Sequence, residues 1–226
     1  MVLLSGGLDS TTCLALALRD GRTVHPISFA YGQLHEAELG AATHVARHYG
    51  IPPERHRVVD LGRAISGSAL TGQGAVPLDR DAAAIGGDIP VTYVPARNLV
   101  FLAFAMSYAE AVWAGEVHIG VNALDYSGYP DCRPEFIRAF AEAARLGTRV
   151  GVEGRPIEVR TPLVDLGKAA IVRLGAEVGV PFALTHSCYL GQRPACGRCD
   201  ACRLRIEGFR AAGLRDPLPY AVEVAW

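Results

Sequence analysis

The stretch VLLSGGLDS, residues 2–10, decides the fold that the sequence predicts. Its first three residues are apolar, as in a buried parallel strand. Gly6 and Gly7 permit a tight turn, and Asp9 or Ser10 is suited to cap the helix that the apolar spacing of residues 13–18 predicts. Such a helix points its unpaired N–H groups and the positive end of its dipole at the turn. The stretch therefore predicts an anion site, with phosphate as the anion.

The order of glycines and serines distinguishes this loop from other functional loops. No lysine follows as in GxxxxGK(S/T), the glycines do not fit GxGxxG, and the serines flank the glycines instead of standing between them as in GxSxG. The pattern SGGxDS at residues 5–10 resembles the PP-loop ATP pyrophosphatases, which implies cleavage of ATP between its α- and β-phosphates. The alternative, an ordinary glycine-rich turn between strand and helix, is disfavoured by six matching positions.

Composition limits the class of protein. The chain has 226 residues, half of them hydrophobic, with a mean hydropathy of +0.20, a net charge of −1 and a pI of about 6.6. We expect a single domain over residues 1–226, in the cytoplasm, without a membrane segment or signal peptide. The near-neutral charge argues against a large nucleic-acid surface, so we expect no direct nucleic-acid partner.

Strand-like and helix-like segments alternate along the chain. Apolar runs predict strands after the first at 24–29, 57–60, 117–122 and 157–159, and helical periodicity predicts helices at 33–49, 98–114, 134–147 and 168–178. This alternation predicts an α/β fold with a doubly wound, parallel, five-stranded sheet. Ligands of such sheets bind beyond the carboxyl ends of the strands, and the polar or glycine-rich segments predicted there are the first loop, 31–33, 95–98, 122–133 and 161–163. The long segment 62–95 has weak periodicity and is predicted to be a functional loop.

Four cysteines close together near the end of the chain predict a metal site. Cys188, Cys196, Cys199 and Cys202 lie in one short segment, and four thiolates satisfy a tetrahedral Zn²⁺ with no open position. We therefore predict one structural Zn²⁺ per chain in a C-terminal segment, 183–213. The alternatives are an iron–sulfur cluster and four unrelated thiols. Of the other two cysteines, Cys13 is expected to pack on the first helix, and Cys132 falls in a predicted site loop.

Several longer motifs resemble one family, the 7-cyano-7-deazaguanine synthases of queuosine biosynthesis. The motifs are LSGGLDSTTCL, YGQLHEAEL, VPARNLVFL, GVNALDYSGYPDCRPEFI, TPLVDLGKAAIV and HSCYLGQRPACGRCDACRLR. Three positions depart from the family pattern, where we would expect Asp at Ala30, Arg at Leu34 and Trp at His186. Because four cysteines already complete the predicted metal shell, we expect His186 next to that shell or on the surface.

The resemblance implies an enzyme that uses ATP, Mg²⁺ and ammonia to convert 7-carboxy-7-deazaguanine into the nitrile. The acid and then the amide would each be adenylated in the same site. The resemblance also implies a homodimer. A PP-loop tRNA thiolase, which would deliver sulfur instead of nitrogen, is the alternative enzyme, and a non-catalytic zinc module that binds adenine nucleotide is the alternative outside catalysis.

Residue roles follow from matching the family motifs to this sequence. The nucleotide-binding residues are expected to be Leu4, Ser5, Gly6, Gly7, Leu8, Asp9, Ser10, Thr11, Thr12, Cys13 and Leu14. Asp9, Ser10, Arg97 and Lys168 are the predicted catalytic residues, with Asp9 as a candidate Mg²⁺ ligand and the two cations near the α-phosphate. Asp125, Tyr129, Asp131 and Arg133 are the predicted substrate-binding residues. The alternatives are exposed cations for Arg97 and Lys168 and ordinary turn residues for the substrate set.

Overall fold

The computed structural model describes residues 1–33, 37–80, 89–123 and 128–226. Five strands form one sheet: β1 (Val2–Leu3), β2 (Pro26–Ala30), β3 (Arg57–Asp60), β4 (Glu116–His118) and β5 (Glu158–Arg160). Their order is β3-β2-β1-β4-β5 and every pairing is parallel. The predicted α/β fold with a doubly wound, parallel, five-stranded sheet is confirmed.

Seven α-helices are described within these ranges. They are α1 (Leu8–Arg19), α2 (Ala37–His48), α3 (Arg97–Ala111), α4 (Pro134–Gly147), α5 (Arg149–Val152), α6 (Lys168–Glu177) and α7 (Asp200–Ala211). Short 3-10 turns stand at Pro53–Arg55, Ala69–Thr71, Pro130–Cys132 and Phe182–Leu184. Among the described residues, no helix has the length and apolar character needed to cross a membrane.

The strand order places a switch point beside β1. Val2 pairs with Pro26 of β2 on one side and with His118 of β4 on the other. Chain connections leave β1 and β4 toward opposite faces of the sheet, which opens a crevice at the carboxyl ends of these strands. The glycine-rich loop follows β1 directly, so the fold places that loop in the crevice.

Each face of the sheet is covered by its own apolar cluster. Consecutive residues in and just after β1 belong to different clusters, because successive side chains along an extended chain point to opposite faces of the sheet. Leu3 packs in the cluster that contains Leu102 and Met106 of α3. Leu4, next in the chain, packs in the cluster that contains Leu14 of α1. The helices that carry the crevice residues are thereby fixed to both faces.

The bounds of several predicted elements differ from the structure by a few residues, and two differences bear on the site. Strand β4 ends at His118, two residues into the predicted strand at 117–122. Beyond it the chain approaches α1 closely: a Cβ added to Gly120 would lie 3.1 Å from the carbonyl carbon of Asp9. The predicted loop 62–95 includes the 3-10 turn Ala69–Thr71, which Ser68 caps by accepting a hydrogen bond from the N–H of Leu70. Residues 81–88 of that loop lie outside the described residues. The division into one domain with a C-terminal segment 183–213 stays a prediction.

Candidate active site

The glycine-rich loop after β1 is held by its own serines. Ser5 Oγ lies 3.0 Å from Ser10 Oγ, and the N–H of Ser5 also donates to Ser10 Oγ at 3.2 Å. The N–H of Gly7 donates to Ser5 Oγ at 3.3 Å, and Ser10 Oγ donates to the carbonyl of Gly7 at 3.2 Å. These bonds close the loop over the first turn of α1, where the backbone N–H groups and the helix dipole favour an anion.

Gly6 is required by its backbone and by its neighbours. Its φ is +81°, and an added Cβ would lie 2.4 Å from the backbone N of Ala42 in α2. The carbonyl of Gly6 accepts a hydrogen bond from the N–H of His186 at 2.8 Å. At Gly7 the φ is ordinary, and the nearest atom to an added Cβ is Ser5 Oγ at 3.4 Å. Gly6 thus serves packing, whereas Gly7 faces the crevice.

Asp9 is the acidic residue of the glycine-rich loop. Its Oδ2 lies 2.5 Å from Lys168 Nζ and accepts a hydrogen bond from Asn122 Nδ2 at 3.2 Å. Its Oδ1 is buried and has no hydrogen-bond partner among the described residues. A carboxylate oxygen without a protein partner beside a phosphate loop fits a hard cation such as Mg²⁺.

A cavity of about 260 Å³ opens between the loop and α3. Six of the eleven predicted nucleotide-binding residues line it: Leu4, Ser5, Gly7, Leu8, Asp9 and Ser10. Gly6 lies behind the loop, and residues 11–14 are buried within α1. Arg97 and Lys168 also line the cavity, so the structure brings all four predicted catalytic residues together.

Arg97 begins α3 on the wall opposite the loop. Its Nη1 donates to the hydroxyl of Tyr31 at 3.3 Å, and its guanidinium stands 5.9 Å from the centre of that ring. Burial lowers the pKa of Arg97, but the interactions with Tyr31 and Glu38 raise it overall. Arg97 therefore carries a fixed positive charge toward the cavity.

The wall beyond Arg97 is aromatic. The rings of Phe29 and Phe101 stack with centroids 4.0 Å apart, and Tyr31 meets Phe101 edge to face at 5.4 Å. Tyr129 lies across the cavity, and its hydroxyl is 3.2 Å from Thr92 Oγ1. A flat heterocycle fits between such rings, because stacked or edge-on contacts favour aromatic ligands.

The predicted substrate-binding residues have different positions in the structure. Of the four, Tyr129 lines the cavity, whereas Asp131 is buried and its Oδ2 accepts a hydrogen bond from the N–H of Asn98 at 2.8 Å, at the start of α3. Arg133 is exposed and precedes α4, and it is not among the residues that line the cavity. Asp125 lies outside the described residues.

The four predicted metal ligands meet in one place. The sulfur atoms of Cys188, Cys196, Cys199 and Cys202 lie within 4.8 Å of one another, and all four residues are buried. Cys196 Sγ accepts hydrogen bonds from the N–H groups of Arg198 at 3.4 Å and Cys199 at 3.3 Å. Such bonds stabilise thiolates, and a closed set of four fits a structural Zn²⁺.

Asn122, Arg205 and His186 are among the residues of the site that the sequence analysis did not predict as site residues. Asn122 donates to Asp9, and the buried Arg205 lines the cavity. His186, expected beside the metal shell or on the surface, is only 1% exposed and holds Gly6 through its backbone. The position of Asn122 at the carboxyl end of the predicted strand 117–122 was the one available signal, because such ends face the ligand.

The chain resembles known proteins over nearly its whole length. The model of the family described as "Queuosine biosynthesis protein QueC" matches residues 1–213. A protein of Thermosynechococcus vestitus named 7-cyano-7-deazaguanine synthase is 56% identical over 224 residues, which is 98% of this chain and 95% of the relative. Proteins of the same name from Anaeromyxobacter dehalogenans and Nostoc sp. are 54% and 53% identical, each over 98% of this chain and over 95% and 96% of the relative.

Two solved structures are more distantly similar. NMN synthetase from Francisella tularensis has a TM-score of 0.49 at 16% identity and covers 94% of this chain and 76% of its own. The U34-tRNA thiolase NcsA from Methanococcus maripaludis, solved with its [4Fe-4S] cluster, has a TM-score of 0.44 at 14% identity over 81% of this chain and 57% of its own. Neither likeness bears on the function of this chain.

Proposed function

This chain belongs to the QueC family of queuosine biosynthesis, and from that membership we propose that it converts 7-carboxy-7-deazaguanine and ammonia into 7-cyano-7-deazaguanine with ATP. The observation that carries the proposal is the placement of Asp9, Lys168 and Arg97 around one cavity at the start of α1. An anion-binding loop, an acidic group and two cations are the parts that phosphoryl or adenylyl transfer needs.

The reaction requires activation because a carboxylate oxygen is a poor leaving group. Transfer of AMP from ATP to that oxygen releases pyrophosphate and makes AMP the leaving group. Ammonia then attacks the carbonyl carbon, and AMP departs to leave the amide. A second transfer of AMP, to the amide oxygen, allows the loss of AMP and protons from nitrogen, which leaves the nitrile. Both activations use the same chemistry, so one cavity is sufficient for both.

The residues of the loop support distinct roles in this chemistry. The N–H groups at the start of α1, with Ser5 and Ser10, bind the pyrophosphate portion of ATP. Asp9 Oδ1 would hold Mg²⁺, which when bound supplies charge neutralisation at the phosphates. Lys168 and Arg97 approach the cavity from two other elements and stabilise negative charge at the α-phosphate.

The aromatic part of the cavity supports binding of the deazaguanine ring. Phe101 and Tyr31 form one wall and Tyr129 stands on the other. Asp125, Asp131 and Arg133 remain proposed contacts for the polar edge and the carboxylate of the substrate. The buried hydrogen bond from the N–H of Asn98 to Asp131 supports a positioning role for the side chain of Asp131, since this bond fixes the turn that carries Tyr129.

The remaining proposals concern the metal and the assembly. We infer one Zn²⁺ per chain at Cys188, Cys196, Cys199 and Cys202, supported by their convergent sulfur atoms. This ion would stabilise the C-terminal segment and take no part in the reaction, because four thiolates leave it no open position. A cytoplasmic homodimer with only small-molecule substrates is proposed from the family resemblance.

The decisive experiment supplies the purified protein with ATP, Mg²⁺, ammonium and 7-carboxy-7-deazaguanine and follows the products by mass spectrometry. The nitrile should form with the wild type and not with an Asp9→Ala variant of unchanged circular dichroism. No nitrile from the wild type would refute the proposal. A thiolated tRNA product, formed with a sulfur donor, would favour the alternative of a PP-loop tRNA thiolase.

A further inference from the structure

The guanidinium of Arg205 is buried at the edge of the nucleotide cavity. Arg205 stands on α7, three residues after the cysteine Cys202, and it lines the cavity although its side chain is only 2% exposed. A buried arginine at a phosphate site would ordinarily be assigned to the phosphates themselves. Its hydrogen bonds indicate a different role.

All five N–H donors of Arg205 are used within the protein. Nε and Nη2 donate to the two carboxylate oxygens of Asp216 at 2.6 and 2.9 Å, as a bidentate pair. Nη2 also donates to the carbonyl of Phe182 at 3.0 Å. Nη1 donates to Thr185 Oγ1 at 2.7 Å and to Ser187 Oγ at 3.4 Å. An arginine has five such donors, so none is left for a ligand.

Three of the four partners of Arg205, namely Phe182, Thr185 and Ser187, lie in the segment that backs the nucleotide loop. Within this segment, residues 182–187, the N–H of His186 donates to the carbonyl of Gly6 at 2.8 Å. The carbonyl of His186 lies 3.6 Å from where a Cβ on Gly7 would stand, and Ser187 Oγ lies 4.0 Å from it. Any shift of the segment would therefore move the loop that is proposed to hold the phosphates.

Asp216 anchors this arrangement from the C-terminal tail. Its side chain is fully buried, and besides Arg205 it accepts hydrogen bonds from Tyr220 Oη at 2.6 Å and from the N–H of Leu218 at 3.0 Å. The same tail pairs with the cysteine segment, since the N–H of Ala195 donates to the carbonyl of Pro219. The segment that contains the four cysteines, the C-terminal tail and the nucleotide loop are thus joined through the guanidinium of Arg205.

We propose that Arg205 is a positioning residue for ATP: braced by Asp216, it fixes residues 182–187 against the loop that begins α1 and thereby sets the affinity for ATP. This inference rests on the proposed function for the identity of the nucleotide. The substitution Arg205→Lys removes the planar guanidinium but keeps the positive charge. It should loosen residues 182–187, because a lysine cannot bridge four partners at once. The substrate wall at Phe101 and Tyr129 lies on other elements and should be unaffected.

The test measures the equilibrium Kd for ATP with Mg²⁺ by calorimetry, and separately the KM for 7-carboxy-7-deazaguanine, in Arg205→Lys and Thr185→Val. We expect the Kd for ATP to rise about tenfold or more in both variants, with the KM for the acid within about twofold of wild type. Arg210→Lys is the matched control: it stands on the same helix, exposed, beside Glu207 at 3.3 Å, and should change neither constant.

The outcomes separate this inference from the proposed function. A wild type that binds no ATP would refute the proposed function and, with it, this inference. A wild type that binds ATP, together with folded variants that bind it equally well, would overturn the positioning role alone, even if their thermal midpoints fall. If Arg205→Lys does not fold, Thr185→Val decides, because it removes one hydroxyl and keeps the shape of the side chain.

Discussion

Lys168 Nζ lies 2.5 Å from Asp9 Oδ2, although 159 residues separate them in the chain. The contact joins the first turn of α1 to the first turn of α6 at the edge of the cavity. It leaves Asp9 Oδ1 without a hydrogen-bond partner among the described residues, so one oxygen is fixed by a cation and the other is available to a metal ion. The pair thus orients Asp9 before any nucleotide arrives.

The first prediction concerns Asp9 itself. Asp9→Asn keeps the size of the side chain but removes the charge that Mg²⁺ and Lys168 require. We expect kcat to fall by about 10²- to 10³-fold, as when one electrostatic contact to a transition state is lost. Initial rates of nitrile formation at saturating ATP and Mg²⁺ are the measurement. Asp20→Asn, exposed at the other end of α1, is the control, and near-normal turnover in Asp9→Asn would exclude the loop as the chemical centre.

The second prediction separates the two glycines of the loop. Gly6→Ala should destabilise the fold by at least about 2 kcal/mol, because its φ is positive and its Cβ would collide with α2. Gly7→Ala should leave the free energy of unfolding nearly unchanged and weaken ATP binding, since the added methyl group faces the cavity. Urea unfolding and ATP calorimetry measure the two effects. Equal stability losses in both variants would contradict the distinction.

The third prediction concerns the metal. The purified protein should be colourless and contain one zinc ion per chain by elemental analysis. Cys199→Ser should lower both the zinc content and the thermal midpoint, because the binding energy of a structural metal is also folding energy. Cys13→Ala, a buried thiol outside the cluster, should keep its zinc. Visible absorption with stoichiometric iron and sulfide would instead establish an iron–sulfur cluster.

The fourth prediction tests whether one cavity performs both activations. Supplied directly, 7-amido-7-deazaguanine should yield the nitrile with ATP and Mg²⁺ and without ammonium, since its nitrogen is already present. Asp9→Asn should impair this step as well as the acid step. Arg133→Ala should slow the acid step more than the amide step, because only the acid offers a charged partner for a guanidinium. An amide that does not react would overturn the scheme. Equal losses of rate in the two steps of Arg133→Ala would show that Arg133 does not contact the carboxylate of the substrate.

The fifth prediction concerns pH. Burial lowers the pKa of His56 below its ordinary value of 6.5, and its Nε2 lies 2.8 Å from Ser28 Oγ. His56 therefore binds a proton more readily in the unfolded chain than in the folded one. Its contribution to the free energy of unfolding is present above pH 6.5 and is lost as the pH falls below that value. Urea unfolding at about pH 7.5 and about pH 5.5 should show a smaller difference in His56→Gln than in wild type. The exposed His48→Gln is the control, and an unchanged difference in His56→Gln would contradict the assignment.

The sheet, the glycine-rich loop and the cluster of four cysteines were predictable from the sequence, because each depends on a local pattern. The periodicity of the apolar residues specifies strands and helices, and the glycines after the first strand specify the turn. The four cysteines are so close in the sequence that their sulfur atoms can converge without long-range contacts. Arg97 and Lys168 were also predicted, through motifs that follow the strand ends, and their arrival at one cavity agrees with the rule that parallel strands end at one edge.

Which side chains face each other across that edge depends on the tertiary structure and could not be predicted from the sequence. Asp131 and Arg133 are two residues apart, yet one is buried beside Asn98 and the other is exposed, because the 3-10 turn Pro130–Cys132 directs them differently. Asp216 accepts a hydrogen bond from Arg205 because of the path of the C-terminal tail, and the sequence of this tail has no periodic pattern that predicts that path. Long-range pairs of this kind depend on packing between elements, which local sequence patterns do not encode.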